Sequence, residues 1–472
     1  MSVAGNTSQS VTSTTRVFRL EVPRAARRNL AVGWLMLALA SLIASGFFSL
    51  LLVLARASFV KDALPLVDFF RVALVVHVDL SVLVWFLAFA GVLWSINSTP
   101  RALALGWMAL WLAVLGTAIM CAAPFVGGGD PIMANYIPVL NDAIFLTGLG
   151  VFAAGFATLV MRGMIAVPRV GTRISGQGAL RFGLNSSTVS AAVALIAFGW
   201  SWLALPPALD DRAYFELLFW GGGHVIQFTY TLLMLVAWLW LADAAVVPHP
   251  MSPRVATLLF GIGLAAVFLT PVIYLAWGVT SVEHHRMLTW LMQFGGGVAI
   301  VPFGLALLVG LARAPEANPD ARALRSALTA SLVLFCAGGV IGLMIHGSNV
   351  KIPAHYHGCI VGITLALMGL AYHLLPAFGF QRPNARLAHW QAWIYGGGQL
   401  LHIAGLVWGG GYGVQRKVAG AAQALRTPQE FAAMGLMGLG GLIAVIGGLM
   451  FLVIVVGAIA RRCTAAEPSG DA

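Results

Sequence analysis

Runs of apolar residues about twenty long, separated by short polar segments, recur along the whole chain. A helix needs ~20 apolar residues to cross the hydrocarbon of a bilayer. Twelve stretches reach that length: 30–56, 70–96, 103–126, 139–163, 187–206, 213–241, 255–278, 287–312, 324–346, 354–379, 388–410 and 432–459. The pattern predicts an all-α integral membrane protein of about twelve transmembrane helices. One transmembrane domain, 30–460, lies between an N-terminal segment, 1–29, and a C-terminal tail, 461–472.

Composition agrees with this class. Of 472 residues, 60% are hydrophobic and 9% charged, against about 25% charged in a soluble domain. The net charge of +11 does not point to nucleic acid. The chain has only three lysines (Lys61, Lys351, Lys417), its arginines sit mostly between apolar spans, and no basic helix interleaves with aromatics. The four cysteines (Cys121, Cys336, Cys359, Cys463) form no CxxC or CxxCH, so they read as small buried hydrophobes and no covalent haem c is expected.

The arginines set the topology. Arg162, Arg169, Arg173 and Arg181 share one side with Arg313, Arg322, Arg325, Arg382, Arg386, Arg461, Arg462 and the N-terminus. By the positive-inside rule that side is cytoplasmic, which places both termini inside and the protein in a bacterial inner membrane. One outer loop breaks the pattern with Arg416, Lys417 and Arg426. A positive cluster there calls for an anion, either haem propionates or lipid headgroups. Gly triplets at 221–223, 295–297 and 396–398 fit close helix packing in lipid or close approach of a flat cofactor.

Six of the eleven histidines fall in one layer, the outer half of the membrane. His77 lies near the outer end of the second span, His224 about eleven residues into the sixth, and His355 and His357 open the tenth. His284 and His285 are expected in the outer loop after the seventh. Ionisable residues in a membrane are unfavourable and usually functional, so six in one layer point to metal. Residues two apart on a helix point about 200° apart, so His355 and His357 can ligate two different irons. Imidazole is the common axial ligand of haem. A low-spin haem needs a second ligand, for which His77 is available. His224, His284 and His285 remain to hold a non-haem metal, and three imidazoles suit copper, iron or zinc.

These motifs, HVDLSVLVWF (77–86), WGGGHVIQFTY (220–230), SVEHHRM (281–287) and AHYHG (354–358), resemble those of the catalytic subunit of haem–copper oxidases and nitric oxide reductases. The resemblance spans the chain and implies that superfamily's fold of twelve helices in three arcs. It assigns His77 and His357 to a low-spin haem, His355 to a high-spin haem, and His224, His284 and His285 to the non-haem metal. Among b-, o- and a-type haems the b type is favoured, and iron is favoured over copper at the third site. The electron donor is a subunit bearing haem c or a copper centre, or else a quinol.

Oxygen-reducing members carry a cross-linked tyrosine four residues after the mid-span histidine, or six before the histidine pair. Here those positions are Phe228 and Gly278. The best-known nitric oxide reductases place a glutamate four residues after the mid-span histidine, and this chain departs there too. Gln227 shares the face of His224 and offers a neutral ligand or a hydrogen bond to bound NO. Its alternative is a bond to a helix carbonyl. Acidic groups lie outward (Asp79, Asp142, Glu216, Glu283), which predicts proton uptake from outside and no pumping. Tyr230 and Thr231 could instead begin an inner channel, and Asp79 and Asp142 could be helix-end or helix–helix hydrogen-bonding groups. The reading is a divergent respiratory nitric oxide reductase. Its rivals are an oxygen reductase, with Tyr230 or Tyr274 replacing the missing tyrosine, and a transporter with intramembrane histidines.

Overall fold

A computed structural model describes residues 17–54, 69–248, 250–416 and 425–461. Each predicted apolar stretch is a helix. In chain order these are α1 (Ala26–Leu54), α2 (Phe69–Ile96), α3 (Leu103–Val126), α4 (Ala143–Ile165), α5 (Gly176–Ala204), α6 (Asp211–Ala244) and α7 (Pro253–Ala276). Then follow α8 (Val282–Ala312), α9 (Pro319–Leu343), α10 (Lys351–Leu374), α11 (Ala385–Gly411) and α12 (Pro428–Ala460). Among the described residues, eleven of these helices are long and apolar enough to cross a membrane. The exception, α11, carries polar side chains that are satisfied by neighbouring helices. Gln391 donates to the Gly447 carbonyl at 3.2 Å and accepts from the Tyr372 hydroxyl at 3.1 Å, and His389 Nδ1 pairs with Ser326 Oγ at 2.6 Å.

Side-chain caps fix where several helices begin. Ser175, Ser252, Ser281, Asn318, Asn384 and Thr427 each accept a backbone N–H of the first turn, which satisfies donors that the helix cannot. Two caps move predicted boundaries. Ser175 starts α5 eleven residues before the apolar run. Ser281 starts α8 at Val282, so His284 and His285 lie on its first turn and not in a loop as expected. The N–H of His284 itself donates to Ser281 Oγ at 3.2 Å. α7 breaks at Phe268, three residues before Pro271, which has no N–H to continue the ladder. Single π-turns interrupt α2 at Asp79–Val84 and α8 at Leu291–Gly295. The loop before α4 folds into a hairpin that composition did not signal, β1 (Asp130–Ile132) antiparallel to β2 (Val139–Asn141).

The described chain divides into two compact units. One holds α1 to α8 and the other α9 to α12 together with residues 241–248. In the first, α1 packs on α2, α3 on α4, and α5 on α7. Gly116 of α3 lies against α4, where a Cβ would come within 2.6 Å of the Gly148 carbonyl. In the second, α9 packs on α10 and α11 on α12. A Cβ at Gly398 would sit 2.5 Å from the backbone nitrogen of Ala444, and one at Gly447 2.5 Å from that of Tyr395. Between helices in lipid, small residues of this kind let backbones approach and dispersion do the work. α6 is the most enclosed span, 94% buried over its apolar window against 33% for α8. Such a helix can carry polar groups without exposing them to lipid.

Candidate functional site

In the first unit, α2 presents His77 towards α1. Its Nδ1 lies 2.9 Å from both Ser45 Oγ and Ser49 Oγ and 3.0 Å from the Ser45 carbonyl. Those bonds hold the ring by one edge and leave Nε2 as the free edge. Ser81 Oγ donates to the His77 carbonyl at 2.7 Å. Asp79 opens the π-turn just beyond; it is 1% exposed and neither carboxylate oxygen has a partner. Asp79 therefore does not serve as a helix–helix hydrogen-bond group. Asp142 does serve as a helix-end group, accepting from the N–H of Ile144 and of Phe145 at the start of α4. Glu216 ties α6 to the β1–β2 hairpin through Asn135, and Glu283 is exposed on the first turn of α8.

Aromatic side chains stand against His224, His284 and His285. Trp220, one turn before His224, accepts His224 Nδ1 on its carbonyl at 2.8 Å. Its indole N–H donates to the His285 carbonyl at 3.4 Å. Its rings lie 4.8 Å from His224 and 4.9 Å from His285. His285 Nδ1 bonds the Ser281 carbonyl at 2.9 Å. His284 is 1% exposed, and neither ring nitrogen has a partner in hydrogen-bonding geometry. The ring of Tyr274 stands perpendicular to it at 4.6 Å. Tyr136, from the loop before α4, covers His224 at 4.8 Å. Burial, and then the Glu216 carboxylate, hold the Tyr136 phenol well above the usual tyrosine range.

The glycine triplet 221–223 makes room for this aromatic wall. A Cβ at Gly221 would overlap Tyr274, one at Gly222 Phe198, and one at Gly223 Tyr136. Gln227 is half-buried and makes no side-chain hydrogen bond among the described residues, so its amide is not tied to a helix carbonyl. Among the described residues no three His, Cys, Asp or Glu side chains already close into a metal cluster. Trp220 stands beside two of the imidazoles.

In the second unit, His355 Nδ1 bonds the Gly338 carbonyl of α9 at 2.7 Å, again leaving Nε2 free. Gly342 makes the space, since a Cβ there would come within 2.7 Å of that ring. His357, on the other side of α10, has its ring 4.9 Å from His402 of α11. His402 Nδ1 bonds the Met437 carbonyl at 2.9 Å. Arg416 donates to Ser348 Oγ at 3.2 Å and lies close enough to Tyr356 to act on it electrostatically. Lys417, and with it His249, lies outside the described residues, as do residues 1–16 and 462–472.

Comparison with known proteins decides what this arrangement belongs to. The family described as Cytochrome C and Quinol oxidase polypeptide I matches residues 29–462. The chain belongs to that family. It is a subunit I of the haem–copper oxidases, a membrane oxidoreductase whose family binds haems and a metal centre, and this sets the transporter reading aside. The chain is similar to an uncharacterized protein, RP382, of Rickettsia prowazekii (strain Madrid E), 26% identical with 90% of this chain and 95% of that protein covered. It is likewise 26% identical to an uncharacterized protein of Aquifex aeolicus (strain VF5), over 74% of this chain and 85% of that one. Its fold matches a heme-copper terminal oxidase solved as a dimer by cryo-EM, with a TM-score of 0.72 at 16% identity, covering 93% of this chain and 84% of that chain.

The side chains of this subunit I fit the groups the family carries. A backbone carbonyl only accepts, so each Nδ1 held by one carries the proton and Nε2 keeps its lone pair. That is the state of a metal-ligating imidazole oriented by a second partner. His77, His224, His285 and His355 are all so held. His284 is buried with neither ring nitrogen in hydrogen-bonding geometry, and a metal would satisfy the one that keeps its lone pair.

Proposed function

We propose that this subunit I is a nitric oxide reductase, converting two NO, two electrons and two protons to N2O and water. The observation that carries the reading is Phe228. It stands one turn after His224 and is 2% exposed, where oxidases of this superfamily place a phenol. Gly278, the other such position, has no side chain. Four-electron cleavage of O2 draws on that phenol for an electron and a proton; two-electron coupling of NO does not.

In this reading His77 and His357 hold a low-spin haem, His355 a high-spin haem, and His224, His284 and His285 a non-haem metal, iron before copper. The pairing of the last two sites rests on the family resemblance. The haems, of b type, and the metal supply electrons and the place where NO binds. The protein's own residues orient and seal. Trp220 positions His224 and His285, the Gly338 carbonyl sets His355, and Gln227 offers an uncommitted amide beside His224. Arg416, beside Ser348, would neutralise a haem propionate; Lys417, assigned the same role from sequence, lies outside the described residues. Electrons come from a subunit with haem c or a copper centre, or from quinol. Protons enter from the outer face without pumping, in a bacterial inner membrane with both termini inside.

A second reading, O2 reduction, is favoured by one contact: the Tyr274 ring lies 4.6 Å from His284. Against it, the Tyr274 hydroxyl is engaged with Ser201 Oγ at 2.8 Å and the Ala197 carbonyl at 3.1 Å, on the side of α5. Turnover of the purified, reduced protein separates the two. The expected result is NO consumption with half-stoichiometric N2O and slow O2 uptake, with two haems by optical spectra and one further metal by elemental analysis. Fast O2 reduction with little NO turnover overturns the assignment.

A further inference from the structure

In the first unit, at the start of α1, there is a cavity of about 460 Å³. It lies where the segment before α1 meets the end of α2 and the start of α5. Arg24, Arg27 and Arg181 line it together with Asn97 and Ser98, and Glu21 is the one carboxylate among its lining residues. Behind Ser98 stands Arg162, in the last turn of α4 and fully buried. Its Nη2 donates to Ser98 Oγ at 3.1 Å, whereas Nε and Nη1 have no partner. Arg27 donates to the carbonyl of the same serine. Two guanidinium groups therefore converge on one residue and repel each other. Gly106 of α3 makes room for this: a Cβ there would come within 2.8 Å of Arg162 Nε.

A buried cation with unsatisfied donors is strongly unfavourable unless an anion accompanies it. The dipole at the end of α4 favours one positive charge at Arg162. It does not account for three further arginines gathered on one cavity with a single carboxylate. Guanidinium forks match the oxygens of a tetrahedral oxyanion, and with the termini inside, as proposed, inner-leaflet headgroups and soluble anions would both reach the cavity. We propose that this cavity binds a phosphate-bearing anion, which neutralises Arg24, Arg27 and Arg181 on its lining, offsets the charge of Arg162 behind Ser98, and ties the segment before α1 to the end of α2 and the start of α5.

The test is thermal unfolding of the full-length, haem-loaded protein in a neutral detergent, titrated separately with phosphatidylglycerol, phosphatidylcholine and inorganic phosphate. A saturable rise in the midpoint with phosphatidylglycerol alone supports the site and identifies a lipid headgroup. A rise with inorganic phosphate as well supports it and identifies the phosphate group itself as sufficient. In both cases Arg24→Gln and Arg181→Gln, at the rim, should each raise the half-saturating concentration about tenfold while leaving the haem spectrum unchanged. No shift with either anion overturns the proposal. So does an equal shift with phosphatidylcholine, or a response unchanged in the rim variants.

Discussion

Replacing Gly221 by alanine adds one methyl group at the point where α6 meets the ring that backs His284. The new Cβ would overlap the Tyr274 hydroxyl and lie 2.8 Å from the ring carbon that bears it, closer than the 3.0 Å floor of real Cβ contacts. Tyr274 must then move, since α6 is enclosed along its length. Moving it breaks the bonds to Ser201 Oγ and the Ala197 carbonyl, each contributing about 1 kcal/mol. It also leaves the fully buried Ser201 hydroxyl without that partner, at about 1–3 kcal/mol. Alanine returns about 1 kcal/mol through helix propensity, so the net loss is about 2–4 kcal/mol. The ring cannot leave without uncovering His284, 4.6 Å away. Gly221→Ala should therefore lower the unfolding midpoint and the retained non-haem metal together, while the haem spectrum stays. The double variant Gly221→Ala, Tyr274→Phe removes the overlapping oxygen but keeps the carbon at 2.8 Å, so it should recover part of the metal and not all. Midpoints from thermal unfolding and metal counts from elemental analysis read both effects. Wild-type stability and metal content in Gly221→Ala, or no recovery in the double variant, would refute the argument that the glycine exists to seat Tyr274 against His284.

Two further outcomes follow from hydrogen bonds. Ser45→Ala with Ser49→Ala strips both hydroxyls from His77 but leaves the Ser45 carbonyl. The low-spin haem should remain bound with a shifted reduction potential, read by redox titration, and its retention on dilution should fall about tenfold, at the low end for such supporting partners. Asp142→Ala removes a helix cap worth ~1 kcal/mol. It should lower the unfolding midpoint but leave turnover near that of the parent, and a large loss of turnover with unchanged stability would return Asp142 to a proton route.

Much of the architecture was legible because lipid leaves few choices. A backbone in hydrocarbon must satisfy itself, so an apolar run of the right length is a helix. What could not be read was where polar caps extend a helix into the interface. Ser281 carries α8 back past His284 and His285, and nothing in a hydropathy window registers a single serine hydroxyl. The histidines stood out in sequence because ionisable residues within apolar spans are unfavourable. Their supports did not. Trp220, Tyr136 and Tyr274 are ordinary membrane residues by type, and only the fold puts them against imidazoles. The glycine triplet 221–223 was a usable signal for that wall, though the choice between helix contact and cofactor contact needed the structure. It resolves into contact with three aromatic rings. His402 likewise reads as a structural histidine in sequence, and its place beside His357 depends on how α11 packs on α10.

Five histidines share one arrangement. His77, His224, His285, His355 and His402 all bond a backbone carbonyl through Nδ1. For one imidazole alone this carries no argument, because a carbonyl at hand is the ordinary way to satisfy a buried ring. The set around Trp220 is different. His224 and His285 flank one indole, and in both the proton sits on Nδ1, so both offer only lone pairs at Nε2. Neither can donate to the other. His284, with no hydrogen bond at either nitrogen, has at most one proton to give when neutral, so it cannot serve two acceptors and still satisfy its own. His224 and His284 are buried and His285 half-buried, and in the proposed reading a single electron-poor centre would take a lone pair from each.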